Sequence, residues 1–146
     1  MPVIVIGADT DPGREVVATL AGRAGEVRAF VTDRQAAPDL RRLGAKVAIG
    51  DISDGSHVGA AAIGCYTAVV IASAAEDERE RSFATSTAEV HAAWAEALED
   101  ARISRVIWVG AEEPPQAIAA ATTDLTTVDP TRDTFAVEVR MLDDAG

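Results

Sequence analysis

Five short apolar runs are spaced along the first 110 residues of the chain, and stretches of helical periodicity lie between them. The runs occupy residues 2–6, 27–32, 46–49, 67–72 and 105–109. Runs such as VIVI, AVVIA and VIWV are nearly continuous rather than alternating, which is typical of strands covered on both faces. The pattern therefore predicts a parallel sheet between two layers of helices.

The stretches between the runs carry apolar residues at helical spacing, and several end at glycine. They predict helices at residues 13–25, 37–45, 54–64 and about 80–101. Trp94 lies on the apolar stripe of the long fourth helix, which predicts a core anchor. Strands that alternate with helices through right-handed crossovers indicate an α/β fold, a doubly wound five-stranded parallel sheet in the order 3-2-1-4-5.

The chain changes character after the fifth run. Residues 110–134 are rich in Thr, Asp, Ala and Pro with little apolar period, so they predict an irregular connection. Residues 135–146 predict a last short helix. We therefore expect a single domain over residues 1–146, with a core at 1–110 and an irregular tail at 111–146. With no sixth strand expected, the fifth strand is an open edge, and we expect a homodimer through it or the helices beside it.

Charge narrows the range of partners. The chain has 13 basic and 24 acidic side chains and a net charge of -11, which repels nucleic acids and anionic lipid surfaces alike. No apolar stretch reaches about 18 residues and no leader pattern is present, so we expect a cytoplasmic protein. Cys65 is the only cysteine, and His57 and His91 lack ligand-type partners one helical turn away. The sequence therefore predicts neither a disulfide nor a metal site.

The segment VIVIGADTDPGREVV, residues 3–17, contains the most informative loop. Gly7 and Gly13 stand six positions apart between the first strand and the first helix. Glycines at such a turn let backbone amides approach a diphosphate, whose charge the helix dipole stabilises. DTDPG also fits an ordinary helix start that binds no ligand, in which Asp11 is the N-cap and Pro12 occupies the first helical position.

Five segments in order, VIVIGADTDPGREVV, VRAFVTDR, VAIGDISD, TAVVIAS and ARISRVIWVG, resemble the NAD(P)-binding half of the extended and atypical short-chain dehydrogenase/reductase superfamily. The likeness is to its NmrA-like and epimerase-like members, covers about the first 110 residues and implies a Rossmann-like fold. In that superfamily the loop reads G-A-x-G-x-x-G, so Thr10 replaces the middle glycine. The resemblance implies these cofactor contacts: Gly7, Ala8, Thr10, Pro12 and Gly13 at the diphosphate, Thr32, Asp33 and Arg34 at the adenosine ribose, Asp51 and Ile52 at the adenine, and Ala72 and Ser73 after the fourth strand.

The type of dinucleotide and the strength of binding stay open at this point. Asp33 can accept from a ribose 2′-hydroxyl, which favours NAD, whereas Arg34 can pair with a 2′-phosphate and favours NADP. We give Arg34 slightly more weight. Thr10 either pushes the diphosphate outward or donates one hydrogen bond to it. Asp9 and Asp11 oppose an anion by about 1 kcal/mol each, so retained binding and lost binding are both compatible with the sequence.

The catalytic set of the superfamily is missing from the sequence. Its enzymes carry Ser or Thr after the fifth strand and a Tyr-x-x-x-Lys pair on the next helix, where the tyrosine acts as acid or base. Here Gly110 and Ala111 follow the fifth run, the only tyrosine is Tyr66 and the only lysine is Lys46. We therefore expect no catalytic residue and infer a non-catalytic NAD(P)-binding module, a cofactor sensor or regulatory protein. The alternatives are a ligand-free scaffold for protein assembly and a small oxidoreductase completed by a partner chain.

Two charged segments follow later strands. AEDERERS, residues 75–82, contains Arg79 and Arg81, which predict a solvated helix start or, alternatively, a phosphate contact. AEEPP, residues 111–115, contains Glu112 and Glu113, for which we expect a solvated position rather than a general base.

Overall fold

A sheet of six parallel strands forms the centre of the protein. The structure, a computed structural model, describes residues 1–79 and 81–145. The strands are β1 (Val3–Ile6), β2 (Val27–Val31), β3 (Lys46–Ile49), β4 (Thr67–Ile71), β5 (Arg105–Val109) and β6 (Asp124–Val128). Their order is β3-β2-β1-β4-β5-β6. This confirms the α/β, doubly wound, Rossmann-like class, with the order of the first five strands as predicted.

Helices cover both faces of the sheet. They are α1 (Asp11–Leu20), α2 (Ala37–Arg42), α3 (Gly55–Ala62), α4 (Thr87–Asp100), α5 (Gln116–Ala120) and α6 (Phe135–Asp144). Short 3-10 turns follow β2 at Arg34–Ala36 and β4 at Ala72–Ala75. Among these helices, none is long and apolar enough to cross a membrane.

The long helix α4 begins later than its sequence pattern predicts. Ser86 is its N-cap, and the Ser86 hydroxyl accepts from the Glu89 amide at 3.2 Å. The capping serine stops the helix there, so residues 81–86 lie outside it. Glu80, where we expected the helix to start, lies outside the described residues.

Two apolar layers form the core, one on each face of the sheet. Val3 and Val5 of β1 face the layer that contains α1 and α6, whereas Ile4 and Ile6 face the layer that contains α3 and α4. This two-sided burial explains the continuous apolar runs. Trp94 is fully buried, as predicted, and its indole nitrogen donates to the Ile52 carbonyl at 2.9 Å.

The expectation of an irregular tail without a sixth strand was wrong. DLTTV, residues 124–128, pairs in parallel along the whole of β5, from Arg105 opposite Asp124 to Val109 opposite Val128. The apolar pattern of this strand is weak because β6 lies at the sheet edge, and only Val128 in it is buried. Pairing and helix packing therefore decide this strand rather than a hydrophobic run.

Three arginines tie the last helix to the rest of the protein. Arg23 makes two hydrogen bonds to Asp143, at 2.6 and 3.2 Å. Arg105 reaches the Leu142 carbonyl at 2.6 Å, and Arg140 donates to the Thr19 carbonyl at 2.7 Å. Because β6 covers β5, the open β5 edge from which we expected a homodimer does not exist.

Candidate functional site

The loop between β1 and α1 requires its two glycines for different reasons. Gly7 has φ +90°, a conformation that side chains disfavour, and a Cβ there would lie 2.7 Å from the Ala74 Cβ. A Cβ on Gly13 would lie 2.2 Å from the Gly7 carbonyl oxygen. The backbone of the loop is therefore packed too closely for any side chain at either position. Ala8, between them, is fully buried.

Thr10 rather than Asp11 is the N-cap of α1. Its hydroxyl donates to the Gly7 carbonyl at 2.7 Å and accepts from the Gly13 amide at 3.0 Å. Our assignment of the cap to Asp11 was one residue late, because the threonine hydroxyl reaches both groups at once. Asp11 and Pro12 occupy the first helical turn. The Thr10 hydroxyl proton is used within the loop, so it is not free to donate to a diphosphate.

The Asp9 carboxylate lies at the end of β2, not over the helix terminus. One oxygen accepts from the Thr32 and Asp33 amides, each at 2.9 Å, and the other accepts from Arg79 at 2.8 Å. Asp9 is therefore neutralised, and only 2% of its side chain is exposed. Of the two carboxylates that we expected near the diphosphate, Asp9 is turned away and Asp11 is exposed at the surface.

The end of β2 has one polar group without a partner. The Thr32 hydroxyl oxygen is buried and makes no hydrogen bond to the described part of the chain. Asp33 caps the following turn by accepting from the Gln35 amide at 2.9 Å, and Arg34 is exposed. Buried polar groups are normally paired, so the Thr32 hydroxyl is available for a ligand or water.

The end of β3 contacts the segment that follows β4. One oxygen of Asp51 accepts from the Ser53 amide at 2.8 Å, and the other accepts from the Ser82 amide at 2.6 Å. Burial by itself raises the pKa of the Asp51 carboxyl, but these hydrogen bonds outweigh it and lower the pKa below its usual value. The Ile52 side chain is fully buried in the core, so it has no face directed to an adenine.

Arg79 lies at the centre of an ion cluster at the same edge. It pairs with Asp9 and, at 2.6 Å, with Asp77, and 13% of its side chain is exposed. Burial alone lowers the pKa of the guanidinium, but its hydrogen bonds to Asp77 and Asp9 raise it above the usual value. We had expected a solvated side chain at Arg79 or, alternatively, a phosphate contact, and the structure instead places it in a largely buried ion pair.

A cleft of about 400 Å³ opens beyond the ends of β4 and β5. His91 lies in it and contacts two indole rings, with its ring centre 5.9 Å from that of Trp94 and 5.6 Å from that of Trp108. Burial lowers the pKa of the His91 imidazole, against a smaller raising effect of Glu76. The cleft is lined by Ala72, Glu76, His91, Trp108, Gly110, Ala111, Glu112, Glu113 and Pro115.

The structure brings the strand ends that the sequence singled out to one edge of the sheet, and two side chains near that edge were not singled out. Gly7, Thr32, Asp51 and Ala72 all follow parallel strands, so the structure brings them to one edge. Ser73 is exposed there, beside Ala72. Trp108 and His91 were not singled out, because Trp108 lies in an apolar run and His91 in a helix, and both positions also suit a structural role. The only signal was their place near the carboxyl ends of β4 and β5.

The chain matches one family of known proteins along most of its length. A sequence profile described as NAD(P)H-binding matches residues 7–130. A comparison with curated proteins found no match.

Several solved structures have the same fold. Citrobacter sp. triphenylmethane reductase complexed with NADP(H) is 20% identical, and the match covers 100% of this chain and 56% of that one, with TM-score 0.67. NADPH-dependent quinone oxidoreductase from Escherichia coli, complexed with NADPH, is 19% identical, with coverages of 100% and 46% and TM-score 0.58. BdcA from E. coli is 17% identical, with coverages of 97% and 88% and TM-score 0.69. The chain thus spans about half the length of the two reductases.

Proposed function

The chain belongs to the NAD(P)H-binding family, and on that premise we propose that the coenzyme lies across the carboxyl ends of its strands, with the diphosphate at the loop between β1 and α1. The tight turn between Gly7 and Gly13 is the observation that carries this proposal, since it packs the loop against itself and leaves the Asp9 and Asp11 amides without a hydrogen bond to the described residues at the N-terminus of α1. Backbone amides beside a helix N-terminus are suited to a diphosphate.

The amides and hydroxyls available at this edge fit a dinucleotide. The Asp9 and Asp11 amides make no hydrogen bond to the described part of the chain, while Pro12 has no amide hydrogen to offer. The buried Thr32 hydroxyl, which lacks a partner, lies on the side where the adenosine ribose is expected. These groups support binding without help from the Thr10 hydroxyl.

The proposed contacts divide along the sheet at β1. In doubly wound folds a dinucleotide crosses the point where strand order reverses, so its adenosine half lies towards β2 and β3 and its nicotinamide half towards β4 and β5. Gly7, Ala8, Thr10, Pro12 and Gly13 shape the loop at the proposed diphosphate position, where the Asp9 and Asp11 amides are the donors. The other proposed contacts are Thr32, Asp33, Arg34 and Asp51 for the adenosine, and Ala72 and Ser73 for the other half. Ile52 does not contact the coenzyme in this proposal, because its side chain is buried in the core beneath this surface.

We propose that the protein is a cofactor sensor or regulatory subunit and does not use the superfamily's tyrosine chemistry. Tyr66 immediately precedes β4 and Lys46 begins β3, so both lie at the amino ends of the strands. The proposed coenzyme site lies at the opposite edge. Bound NAD(P)H supplies hydride chemistry, but neither of these residues can deliver a proton there.

The cleft beside β4 and β5 favours a second candidate, a small reductase. His91 is the one histidine lining it, and an imidazole can hold or supply a proton near a bound substrate. This candidate predicts that the protein oxidises NAD(P)H in the presence of a quinone or dye acceptor, and that His91→Gln slows the reaction. Absence of turnover favours the sensor.

A thermal-shift titration with NAD⁺, NADH, NADP⁺ and NADPH tests coenzyme binding. A ligand at about 100 times its Kd stabilises the folded state by about 2.7 kcal/mol, which raises the Tm by several degrees. Gly13→Asp places a carboxylate against the Gly7 carbonyl and should abolish the shift, with circular dichroism to show that the variant is folded.

The outcomes of this titration separate the proposals. An equal shift in the unmodified protein and in folded Gly13→Asp would place the coenzyme elsewhere. No shift with any of the four coenzymes would leave the ligand-free scaffold as the better proposal.

We also propose that the protein is a homodimer. With β5 covered, β6 is the open edge on that side, and the neighbouring helix α6 exposes Val137 and Met141. An open strand edge beside exposed apolar side chains suits pairing with a second copy.

A further inference from the structure

Asp9 occupies an unusual position for an acidic residue of the glycine loop. Its carboxylate extends from the β1–α1 loop to the end of β2 and accepts hydrogen bonds from the Thr32 and Asp33 amides at 2.9 Å each. These are the first two residues after β2. In doubly wound folds the end of this strand is where the 2′ substituent of the adenosine ribose is bound. An internal anion therefore lies where a 2′-phosphate would lie.

The cation at this point is also already paired. Arg79 donates to the second Asp9 oxygen at 2.8 Å and pairs with Asp77 at 2.6 Å. The Asp9 and Arg79 side chains are 2% and 13% exposed. The pair is largely removed from water, so its charges are weakly screened and strongly coupled.

We propose that Asp9 is a specificity-determining residue, whose carboxylate competes with the 2′-phosphate of NADP(H) for Arg79 and for the Thr32 and Asp33 amides. This inference rests on the proposed coenzyme site. A 2′-phosphate has to displace Asp9 from these donors, whereas a 2′-hydroxyl adds no charge and needs no displacement. Arg79 is the cation that the phosphate gains when Asp9 releases it.

The exposed Arg34, which the sequence analysis weighed as a partner for a 2′-phosphate, makes no ion pair with the described residues. Its guanidinium is therefore not fixed in place by a carboxylate. Arg79 is held by the Asp9 and Asp77 carboxylates, and Asp9 also accepts from both amides. The choice between the two coenzymes is therefore assigned to the Asp9–Arg79 pair.

Two substitutions are expected to change the affinity for NADPH relative to NADH in opposite directions, and together they test this assignment. Asp9→Asn keeps an acceptor oxygen for the two amides but removes the charge, so the affinity for NADPH relative to NADH should rise about tenfold, or about 1.4 kcal/mol. Arg79→Gln removes the cation and should lower the same ratio about tenfold. Both Kd values are measured by isothermal titration calorimetry on the same preparation, so any loss of folded protein affects both coenzymes equally.

Asp11→Asn is the matched control. Asp11 lies two residues further on, at the first position of α1, is exposed, and makes no side-chain hydrogen bond or ion pair to the described residues. Its substitution removes the same charge and should change the ratio by less than about twofold, since an exposed charge is screened. Adenosine 2′,5′-bisphosphate and adenosine 5′-phosphate serve as second probes, because they differ at the ribose alone and carry no nicotinamide.

The results separate this inference from the proposed function. A ratio that is unchanged or lower in Asp9→Asn, or that rises equally in Asp9→Asn and Asp11→Asn, overturns the role of Asp9. If the unmodified protein binds neither coenzyme, the proposed site itself fails, and the inference fails with it. Opposite shifts in Asp9→Asn and Arg79→Gln, seen with both pairs of probes, support it.

Discussion

Single residues determine the shape of the first loop and the chemistry of the sheet edge. Gly7 and Gly13 allow a backbone packing that no side chain can enter, and the Thr10 hydroxyl joins the two ends of that loop. Asp9 connects it to the end of β2. The loop is thus fixed before any ligand is bound, which lowers the entropic cost of binding one.

Gly7→Ala should destabilise the protein more than the same substitution at Gly44. Both glycines have positive φ, +90° and +95°, but a Cβ on Gly44 meets nothing within 4 Å, whereas one on Gly7 meets Ala74. We expect a loss of about 1 kcal/mol for Gly44→Ala from backbone strain alone, and about 3 kcal/mol for Gly7→Ala. Urea unfolding measures both. Equal losses would show that the Ala74 contact relaxes at no cost.

His91 should make the stability of the protein depend on pH near neutrality. Burial lowers its pKa in the folded state, so the unfolded chain takes up a proton first as the pH falls. Its contribution is therefore fully present above the unfolded pKa of about 6.5 and is lost as the pH drops below it. His91→Gln should weaken the dependence of Tm on pH between about pH 7.5 and 5. Retention of the slope in His91→Gln and its loss in His57→Gln would contradict this assignment.

At the scale of elements, the last strand and helix are held by arginine contacts as well as by apolar packing. β6 has one buried apolar residue, Val128. Arg140 joins α6 to α1, Arg105 joins it to β5, and Arg23 joins it to the segment that follows α1. The Arg23–Asp143 pair is the most buried of these contacts, with side-chain exposures of 9% and 2%. Loss of one partner leaves an unpaired charge in a site with little water.

Asp143→Asn should therefore destabilise the protein by about 3 kcal/mol. Asp144→Asn is the matched control, because the neighbouring side chain is 61% exposed and its distance to Arg140 is 4.0 Å. We expect a change within about 0.5 kcal/mol for the control. Urea unfolding of both variants is the measurement, and similar values for the two would show that α6 is held by apolar packing alone.

At the scale of the whole molecule, parallel topology determines where all candidate chemistry lies. Every crossover returns the chain to the same end of the sheet, so the loops after β1, β2, β3, β4 and β5 meet at one edge. Arg79, Ser82 and the Asp9 and Asp51 carboxylates connect those loops across the edge. The proposed binding surface is therefore shared between both halves of the sheet.

The proposed homodimer also belongs to this scale. We expect light scattering at micromolar concentration to give twice the mass of the chain. Met141→Glu, which places a charge on the exposed face of α6 beside β6, should shift the protein towards the monomer. A monomeric unmodified protein would rule the dimer out.

The sequence by itself determined the class of fold and the edge of the sheet at which we propose the site. Continuous apolar runs separated by helical periods require strands buried on both faces, and glycines at the first strand–helix turn mark the close backbone approach. These signals are local, because they depend on residues near each other in the chain. The five predicted strands, their order and the core position of Trp94 follow from them.

Tertiary structure alone decided the sixth strand, the direction of Asp9 and the pairing of Arg79. DLTTV becomes a strand because β5 offers it a parallel edge, and the Asp9 carboxylate turns to β2 because two amides and a guanidinium from distant segments meet there. Asp9 is separated from Thr32 by 23 positions and from Arg79 by 70. Such contacts produce no pattern in the sequence, because the residues come together only after the sheet has formed.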